Sequence, residues 1–241
     1  MTGKIYFCPS QLLSLHYLIL EYALTLAIFD LDNTLIAGDS DHSWGQFLVD
    51  NKLVDVDAYQ QANDRFYQDY ERGELDINAY MRFSLQPLMQ YSHDELDALH
   101  LRFMAEVITP LRLNKAEALL NEHRALGHYL LIITSTNGFI TEPIARALKV
   151  DHILATDAEV IDGNYSGEIA GTPCYQEGKI VRFEKWLTET GQDASGAFFY
   201  SDSINDLPLL AQVDNPIAVD PDDALRCEAD ARGWKIISLR D

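Results

Sequence analysis

The stretch that decides the fold runs Leu24-Thr25-Leu26-Ala27-Ile28-Phe29 and continues as Asp30-Leu31-Asp32-Asn33-Thr34-Leu35. A short apolar run that ends in acidic residues is typical of a buried parallel strand whose carboxyl end carries polar groups. Three further runs of this kind lie at residues 129–133, 197–200 and 216–219. Because helical stretches at 140–148 and 180–187 separate the second run from the third, the sequence predicts a doubly wound α/β fold with a parallel sheet.

Residues 40 to about 110 show a different pattern, with amphipathic periodicity and no obvious buried strand. Trp44, Phe47 and Leu48 share one helix face. Further helical patterns cover residues 75–89 and 93–104. We therefore predict a helical domain inserted after the first strand. The predicted division is an α/β core at residues 25–39 and 111–241 and a helical insert at residues 40–110.

Residues 1–24 precede the first predicted strand and contain an apolar run that His16 and Glu21 interrupt. The run is too short and too polar to be expected to span a membrane. It is followed by no small-residue cleavage site, which disfavours a signal peptide. We interpret the segment as an N-terminal extension, either a short extra helix or the result of a start codon assigned too early.

The composition limits the functions that are open to the chain. Its 241 residues are 47% hydrophobic and carry a formal net charge of -20. A surface this acidic repels nucleic acid and anionic membranes, so neither is an expected partner. The three cysteines, Cys8, Cys174 and Cys227, are scattered and predict reduced thiols in a cytoplasmic protein. A site for an anionic ligand in so acidic a chain would need local positive charge, so a bound cation is expected in that case.

Acidic residues follow two of the predicted strands. Asp30 and Asp32 are two apart at a strand end, so their side chains project the same way unless the chain turns there. A divalent cation such as Mg²⁺ would relieve their repulsion, and one carboxylate can then attack phosphorus while the other handles a proton. Asp202 and Asp206, with Asn205 between them, form a second acidic cluster. Helix caps and solvated turns are the alternative interpretation of both clusters.

Candidate phosphate ligands accompany these carboxylates. Thr134 follows the second strand run and can donate its hydroxyl, and the amide of Ser135 is expected at a helix N-terminus, which suits anions. Lys179 can supply the missing positive charge. Taken singly, Thr134 and Ser135 are also typical of an ordinary helix cap, and a lone lysine is more often a plain surface residue. Their occurrence in this order, each at a strand or helix end, is a much more specific pattern.

The ordered set resembles the haloacid dehalogenase (HAD) superfamily of phosphatases, in the branch that contains phosphoserine phosphatase. Asp30-Leu31-Asp32-Asn33-Thr34 matches its first motif, DxDxT, and Thr134 matches the second. Lys179 matches the third motif, and Ser201-Asp202-Ser203-Ile204-Asn205-Asp206 matches the fourth, which commonly begins with glycine. The matching residues extend over most of the chain. The resemblance implies a Rossmann-like core and a helical cap that closes over the site.

The resemblance also implies a role for each matching residue. Asp30 would be the nucleophile that becomes an aspartyl phosphate, and Asp32 would be the general acid and base. Asp30 and Asp202 would bind Mg²⁺ by their side chains, and Asp32 by its backbone carbonyl. The phosphoryl group would be bound by Thr134, Ser135, Lys179 and Asn205. Asp206 would hold Lys179 or a metal-bound water.

The substrate implied by the resemblance is a small phosphate ester. Asp39 takes the place of the acidic residue that meets the ammonium group of phosphoserine. Ser84 falls where these phosphatases carry an arginine for the carboxylate. Arg82, two residues earlier, is the candidate to take the place of that arginine if the helix is shifted. We therefore expect either histidinol phosphate or phosphoserine, in amino-acid biosynthesis, and a monomer or homodimer. The alternatives are a broad-specificity phosphatase, a phosphotransferase, or a binding domain without turnover.

Overall fold

The structure, a computed structural model, describes residues 24–240 of the chain. The predicted N-terminal extension therefore lies outside the described residues, except for Leu24. The strands are β1 (Leu26–Phe29), β2 (Tyr129–Asn137), β3 (His152–Thr156), β4 (Ala158–Ile161), β5 (Asn164–Ile169), β6 (Phe198–Ser201), β7 (Asn215–Val219) and β8 (Lys235–Ile237). Six of them form a sheet in the order β3-β2-β1-β6-β7-β8, and every pairing in it is parallel. The predicted doubly wound fold is confirmed.

Helices cover both faces of this sheet because β1 is apolar on both sides. Ala27 and Phe29 pack into one hydrophobic core, and Leu26 and Ile28 into a second. Successive residues of a strand point to opposite faces, so a strand buried on both faces is apolar throughout. The core helices are α6 (Asn114–Ala125), α7 (Gly138–Leu148), α8 (Glu177–Thr190), α9 (Leu207–Leu210) and α10 (Asp223–Arg232).

The insert between β1 and α6 is helical. Its helices are α1 (Ser40–Asp50), α2 (Val56–Glu71), α3 (Ile77–Leu85), α4 (His93–Phe103) and α5 (Thr109–Leu111), with a 3₁₀ turn at Gln86–Gln90 and a π-helical turn at Met104–Ile108. The side chain of Asp39 accepts a hydrogen bond from the amide of His42 at 2.8 Å and so caps the N-terminus of α1. The boundary of a cap domain within this region stays a prediction.

Three differences from the predicted elements have local causes. The predicted helix at 75–89 ends at Leu85 because Pro87 lies in the first turn of a 3₁₀ segment, where its missing amide is tolerated. β3 was missed because it begins with an exposed histidine and offers few apolar residues. β8 was missed because it is an edge strand of only three residues.

Candidate active site

The carboxyl ends of β1, β2 and β6 bring the predicted acidic residues together. Asp30 follows β1, and Asp202 follows the neighbouring strand β6. Asn33 adopts a φ of 55°, a left-handed conformation that asparagine tolerates, and the chain turns there. The turn brings Thr34 to Asp202, whose carboxylate accepts a hydrogen bond from the threonine hydroxyl at 2.9 Å. The strand order changes direction around β1, which is the usual place of a ligand site in such sheets.

Lys179 lies buried between two carboxylates. Its ammonium group is 2.8 Å from Asp30 Oδ1 and 2.6 Å from Asp206 Oδ1. Burial by itself would lower the pKa of Lys179, but Asp206 and Asp30 raise it above its usual range, so the lysine stays charged. The preceding residue, Gly178, packs directly against the backbone of Pro173. A Cβ at position 178 would lie 2.1 Å from the carbonyl oxygen of Pro173, so only glycine fits there.

Ser201 has a role that its position in the motif did not reveal. Its hydroxyl donates a hydrogen bond to Asp206 Oδ2 at 2.7 Å, on the oxygen that Lys179 does not contact. A glycine, which is common at this position in the resembling family, has no side chain to make this bond. The serine therefore fits the site and helps to hold the carboxylate that neutralises the lysine.

Asp32 points away from Lys179, toward the helical insert. Its Oδ1 accepts from the amide of Ser40 at 2.7 Å, and its Oδ2 accepts from the hydroxyl of Thr136 at 2.8 Å. These two bonds join the end of β1 to the start of α1 and to the end of β2. Asp30 and Asp32 thus have separate surroundings, one ion-paired and the other held by neutral donors, which suits two different chemical roles.

Burial raises the pKa values of the site carboxylates. The pKa of Asp30 is raised to about 7 by burial, against the opposing effect of Lys179, and the pKa of Asp32 is raised to about 7 by burial and by Asp39. Burial and the charge of Asp30 raise the pKa of Asp202 well above its ordinary value. Within residues 24–240, Lys179 is the one basic side chain that forms ion pairs at this site. The site therefore buries more carboxylates than positive charges.

This donor set fits a magnesium ion. Asp30 and Asp202 offer carboxylate oxygens, and the backbone carbonyl of Asp32 is a further oxygen donor. Mg²⁺ prefers oxygen ligands, usually keeps several waters and needs only one or two carboxylates. Among residues 24–240, no three or more acidic, histidine or cysteine side chains are grouped so that they could hold a metal ion by themselves. A site completed by a backbone carbonyl and waters does not need such a group.

A cavity lies between these carboxylates and the helical insert. Its polar lining at the sheet is Asp30, Asp32, Ser135 and Thr136. Asp39, Asp41, His42 and Asn63 contribute polar groups from the insert or its junction with β1, and Phe66, Tyr67, Tyr70 and Tyr80 contribute aromatic rings. The cavity is therefore acidic, partly aromatic and continuous with Asp30.

Thr134 and Ser135 lie at the site in a different local structure from the one predicted. β2 continues to Asn137, and α7 begins only at Gly138 with Asn137 as its N-cap. The amide of Ser135 is therefore not at the helix N-terminus, and that part of the prediction is wrong. Thr134 is buried, and its hydroxyl oxygen accepts from the amide of Thr136 at 3.3 Å, which leaves the hydroxyl hydrogen available to a ligand.

Asn205 and Arg82 are bonded to other parts of the protein. Asn205 accepts from Tyr175 at 3.2 Å and donates to the backbone carbonyl of Tyr70 in the insert at 3.3 Å, so it joins the core to α2. Arg82 is half-exposed on α3, and its guanidinium lies 3.8 Å from Glu168 in β5. The structure does not bring Arg82 to the cavity, and substrate binding by this residue is not supported.

Asp41 and Tyr80 line the cavity, and the sequence did not predict this position for either residue. Asp41 is buried in the first turn of α1, where an acidic residue is ordinarily a favourable partner of the helix dipole. Tyr80, in α3, lines the same cavity. A signal was present in the spacing, since Asp30, Asp32, Asp39 and Asp41 are four carboxylates in a short segment that leads into the insert.

We expect the stability of the protein in a chelator to fall as the pH rises from about 5 to about 8. Asp30, Asp32, Asp39 and Asp41 have folded-state pKa values of about 7, above the ordinary value of 3.8. Between these values the folded protein binds more protons than the unfolded chain, so the free energy of unfolding decreases with pH. Thermal unfolding in EDTA and in Mg²⁺ measures this, and Mg²⁺ should stabilise more at the higher pH.

The matched variants for this experiment are Asp32→Asn and Asp50→Asn. Asp32→Asn removes a buried titrating group and should flatten the pH dependence. Asp50→Asn changes an exposed residue at the end of α1 and should leave the pH dependence of stability unchanged. A melting temperature in EDTA that rises between the two pH values would contradict the expectation.

The parallel sheet, with a carboxylate pair and a buried lysine at its carboxyl edge, has the features of an α/β phosphatase. The family model of haloacid dehalogenase-like hydrolases matches residues 27–211. A histidinol-phosphatase of Neisseria meningitidis serogroup C (strain 8013) is 45% identical over 219 residues, which cover 89% of this chain and 99% of the relative. The chain belongs to the haloacid dehalogenase-like hydrolase family, and the predicted phosphatase class is confirmed.

Solved structures share the fold of this chain. A protein with unknown function from Bordetella pertussis Tohama I has a TM-score of 0.85 and 43% identity, covering 90% of this chain and 99% of that one. A substrate-bound phosphoserine phosphatase, with a TM-score of 0.66 and 16% identity, covers 90% of this chain and 93% of its own and shares the fold. Among residues 24–240, no helix combines the length and apolar character needed to cross a membrane.

Proposed function

We propose that the chain is a Mg²⁺-dependent phosphomonoesterase that hydrolyses a small amino-alcohol phosphate through an aspartyl-phosphate intermediate. The observation that carries the proposal is the position of Asp30. It lies beside Asp202 and 2.8 Å from Lys179, at the floor of a cavity that Asp32 also lines. A nucleophile, a proton donor and a charge partner at one cavity suit phosphoryl transfer, in which positioning and charge stabilisation dominate.

In the first half of the proposed reaction, a carboxylate oxygen of Asp30 attacks phosphorus as the bond from phosphorus to the ester oxygen breaks. Asp32 gives its proton to the departing alcohol. The raised pKa of Asp32, about 7, suits this step because an acid near the working pH is protonated often enough to donate. The charge of Lys179 favours the ionised form of Asp30 and offsets part of the effect of burial.

In the second half, a water molecule attacks the aspartyl phosphate, and Asp32 takes the proton of that water. The bond between phosphorus and the Asp30 oxygen breaks, which releases inorganic phosphate, frees the Asp30 carboxylate and leaves Asp32 protonated again. A magnesium ion held by Asp30, Asp202 and the carbonyl of Asp32 would stabilise charge on the phosphoryl oxygens. Lys179 and the hydroxyl of Thr134 would add donors to the same group. The insert would act as a cap that excludes bulk water.

The lining of the cavity favours an alcohol without a carboxylate. The lining side chains, all from residues 24–240, include Asp39 and Asp41 but neither lysine nor arginine. Arg82, the candidate for holding a carboxylate, is paired with Glu168 instead. Histidinol phosphate carries an ammonium group and an imidazole ring and lacks a carboxylate, so it suits this cavity better than phosphoserine. The name of the Neisseria relative supports the same choice.

A side-by-side substrate comparison tests the proposal. We expect phosphate release that requires Mg²⁺, with kcat/KM for histidinol phosphate at least about 100-fold above that for phosphoserine, since a buried like-charge contact costs several kcal/mol. An aryl phosphate, which has neither amine nor carboxylate, serves as the reference for the chemical step. Equal or better turnover of phosphoserine would contradict the assignment of the substrate and leave the reaction class standing. Absence of hydrolysis of all three esters would contradict the reaction class.

A cytoplasmic location remains part of this proposal.

A further inference from the structure

A chain of hydrogen bonds leads from the core to one wall of the cavity. Asn137 caps α7, with its side-chain oxygen accepting from the amide of Ile140 at 3.3 Å. Its side-chain nitrogen donates to the hydroxyl oxygen of Ser84 in α3 at 3.3 Å. The hydroxyl of Ser84 then lies 3.0 Å from Asp41 Oδ1 in α1. All three linked side chains are buried.

This chain has only one consistent direction. Because the amide oxygen of Asn137 is used as the helix cap, its NH₂ group must face Ser84. The Ser84 oxygen accepts that bond, so its single proton is free to be donated to Asp41. Asp41 therefore accepts this hydrogen bond, and its position in the cavity wall is set through Ser84 by Asn137, the residue that caps α7.

Asp41 is a buried carboxylate with neutral partners. Its side chain accepts from the hydroxyl of Ser84, Tyr80 lines the same cavity, and the residue is 5% exposed. No lysine, arginine or histidine within residues 24–240 lies at ion-pair distance from it. A carboxylate accepts about four hydrogen bonds, so acceptor capacity remains on the cavity side. A buried charge without a cation is costly, and a ligand that brings a positive or N–H group would offset that cost.

Aromatic rings complete the surroundings of Asp41. Phe66 and Tyr80 line the same cavity, with ring centroids 5.3 Å apart in an edge-to-face arrangement. Aromatic faces attract organic cations and stack on flat rings. Carboxylate and rings together therefore suit a nitrogen base better than they suit a hydroxyl or a carboxylate.

We propose that Asp41 is a specificity-determining residue, which accepts a hydrogen bond from a basic nitrogen group of the substrate alcohol and repels alcohols that carry a carboxylate. The inference rests on the proposed function and deepens it. With Asp39 available for an ammonium group, Asp41 provides a second acceptor. The expected substrate class is a phosphate ester of an alcohol with two basic nitrogen groups, one of which is a ring nitrogen.

The test uses Asp41→Asn, which keeps the shape of the side chain and removes its charge. We expect the ratio of kcat/KM for histidinol phosphate to kcat/KM for phosphoserine to fall by at least about 10-fold, the usual worth of one charged hydrogen bond. A ratio measured in one protein sample is independent of the fraction that is active. Asp50→Asn, in the same helix but exposed, should keep the ratio of the unaltered protein. A ratio within about twofold of the unaltered protein would overturn the inference.

A binding measurement separates this inference from the proposed function. Histidinol, the alcohol without phosphate, is titrated into the Mg²⁺-loaded protein by calorimetry, and Asp41→Asn should weaken its binding by at least about 10-fold. If no ester is hydrolysed but this weakening is observed, the proposed function fails and the role of Asp41 stands. If the unaltered protein does not bind histidinol, or both bind it equally, the role of Asp41 is refuted.

Two further variants keep the test decisive. Asp41→Ser, which is smaller and neutral, replaces Asp41→Asn if thermal unfolding shows that the asparagine variant is not folded. Ser84→Ala removes only the bond that positions Asp41, so it should shift the ratio in the same direction by a smaller factor. Ser84→Ala should raise KM for histidinol phosphate and leave kcat nearly unchanged. A general loss of structure would instead lower kcat.

Discussion

Replacing Asp30 by asparagine is expected to lower phosphatase activity by at least about 10⁴-fold, as removal of a covalent nucleophile does in other enzymes. The amide cannot form the acyl phosphate, because its nitrogen is not a nucleophile and its oxygen is a poor one. The substitution also removes the carboxylate that lies 2.8 Å from Lys179. Phosphate release from histidinol phosphate and from an aryl phosphate, each with Mg²⁺, measures the loss.

A second measurement distinguishes loss of the nucleophile from loss of structure. Protein quenched in acid during turnover should carry one phosphoryl group by mass spectrometry when Asp30 is present and none in Asp30→Asn. Asp50→Asn, which also removes one carboxylate, should keep both the activity and the phosphoryl group. Activity of Asp30→Asn close to that of the unaltered protein would refute the proposed role of Asp30.

Replacing Lys179 by methionine is expected to damage both stability and activity. The substitution leaves Asp30 and Asp206 buried without their common cation. Removing one partner of a buried ion pair costs about 3–5 kcal/mol of unfolding free energy. Activity should fall by at least about 10²–10³-fold, because donors aimed at the developing charge are worth that much in comparable sites. Urea unfolding and phosphate release at saturating Mg²⁺ measure the two effects.

The double variant Lys179→Met/Asp206→Asn shows whether the charge balance is the cause. Removing Asp206 from the methionine background deletes one of the unpaired carboxylates, so part of the lost stability should return. Activity should not return, because the positive charge beside Asp30 is still missing. A double variant that is less stable than Lys179→Met would show that packing, and not charge, holds this part of the protein together.

The sequence predicted the carboxyl edge of the sheet well because that edge depends on local pattern. Asp30 and Asp202 end short apolar runs, and runs of this kind become adjacent parallel strands whatever the details of their packing. Lys179 was found through its order in the chain relative to these residues. Its contacts with Asp30 and Asp206 depend on where α8 lies, which only the assembled fold determines.

The contacts of the insert could not be predicted in the same way. Arg82 and Ser84 are two residues apart on α3, which corresponds to about 200° around a helix. Tertiary packing alone decides which of them faces the cavity, and it buries Ser84 and exposes Arg82. The extension of β2 to Asn137 is likewise a tertiary effect, since polar residues at 134–137 are locally more typical of a helix start than of a strand.

The dual position of Asp39 has a consequence for how this architecture can change its substrate. The same carboxylate begins α1 and lines the cavity, so replacing it by alanine forfeits about 1 kcal/mol of helix capping together with any ligand contact. Asp41 and Ser84 cap no helix with their side chains. Divergence toward new alcohols should therefore proceed through positions 41 and 84, while position 39 stays within the few residues able to start a helix. Directed evolution of a new specificity would do well to begin at those two sites.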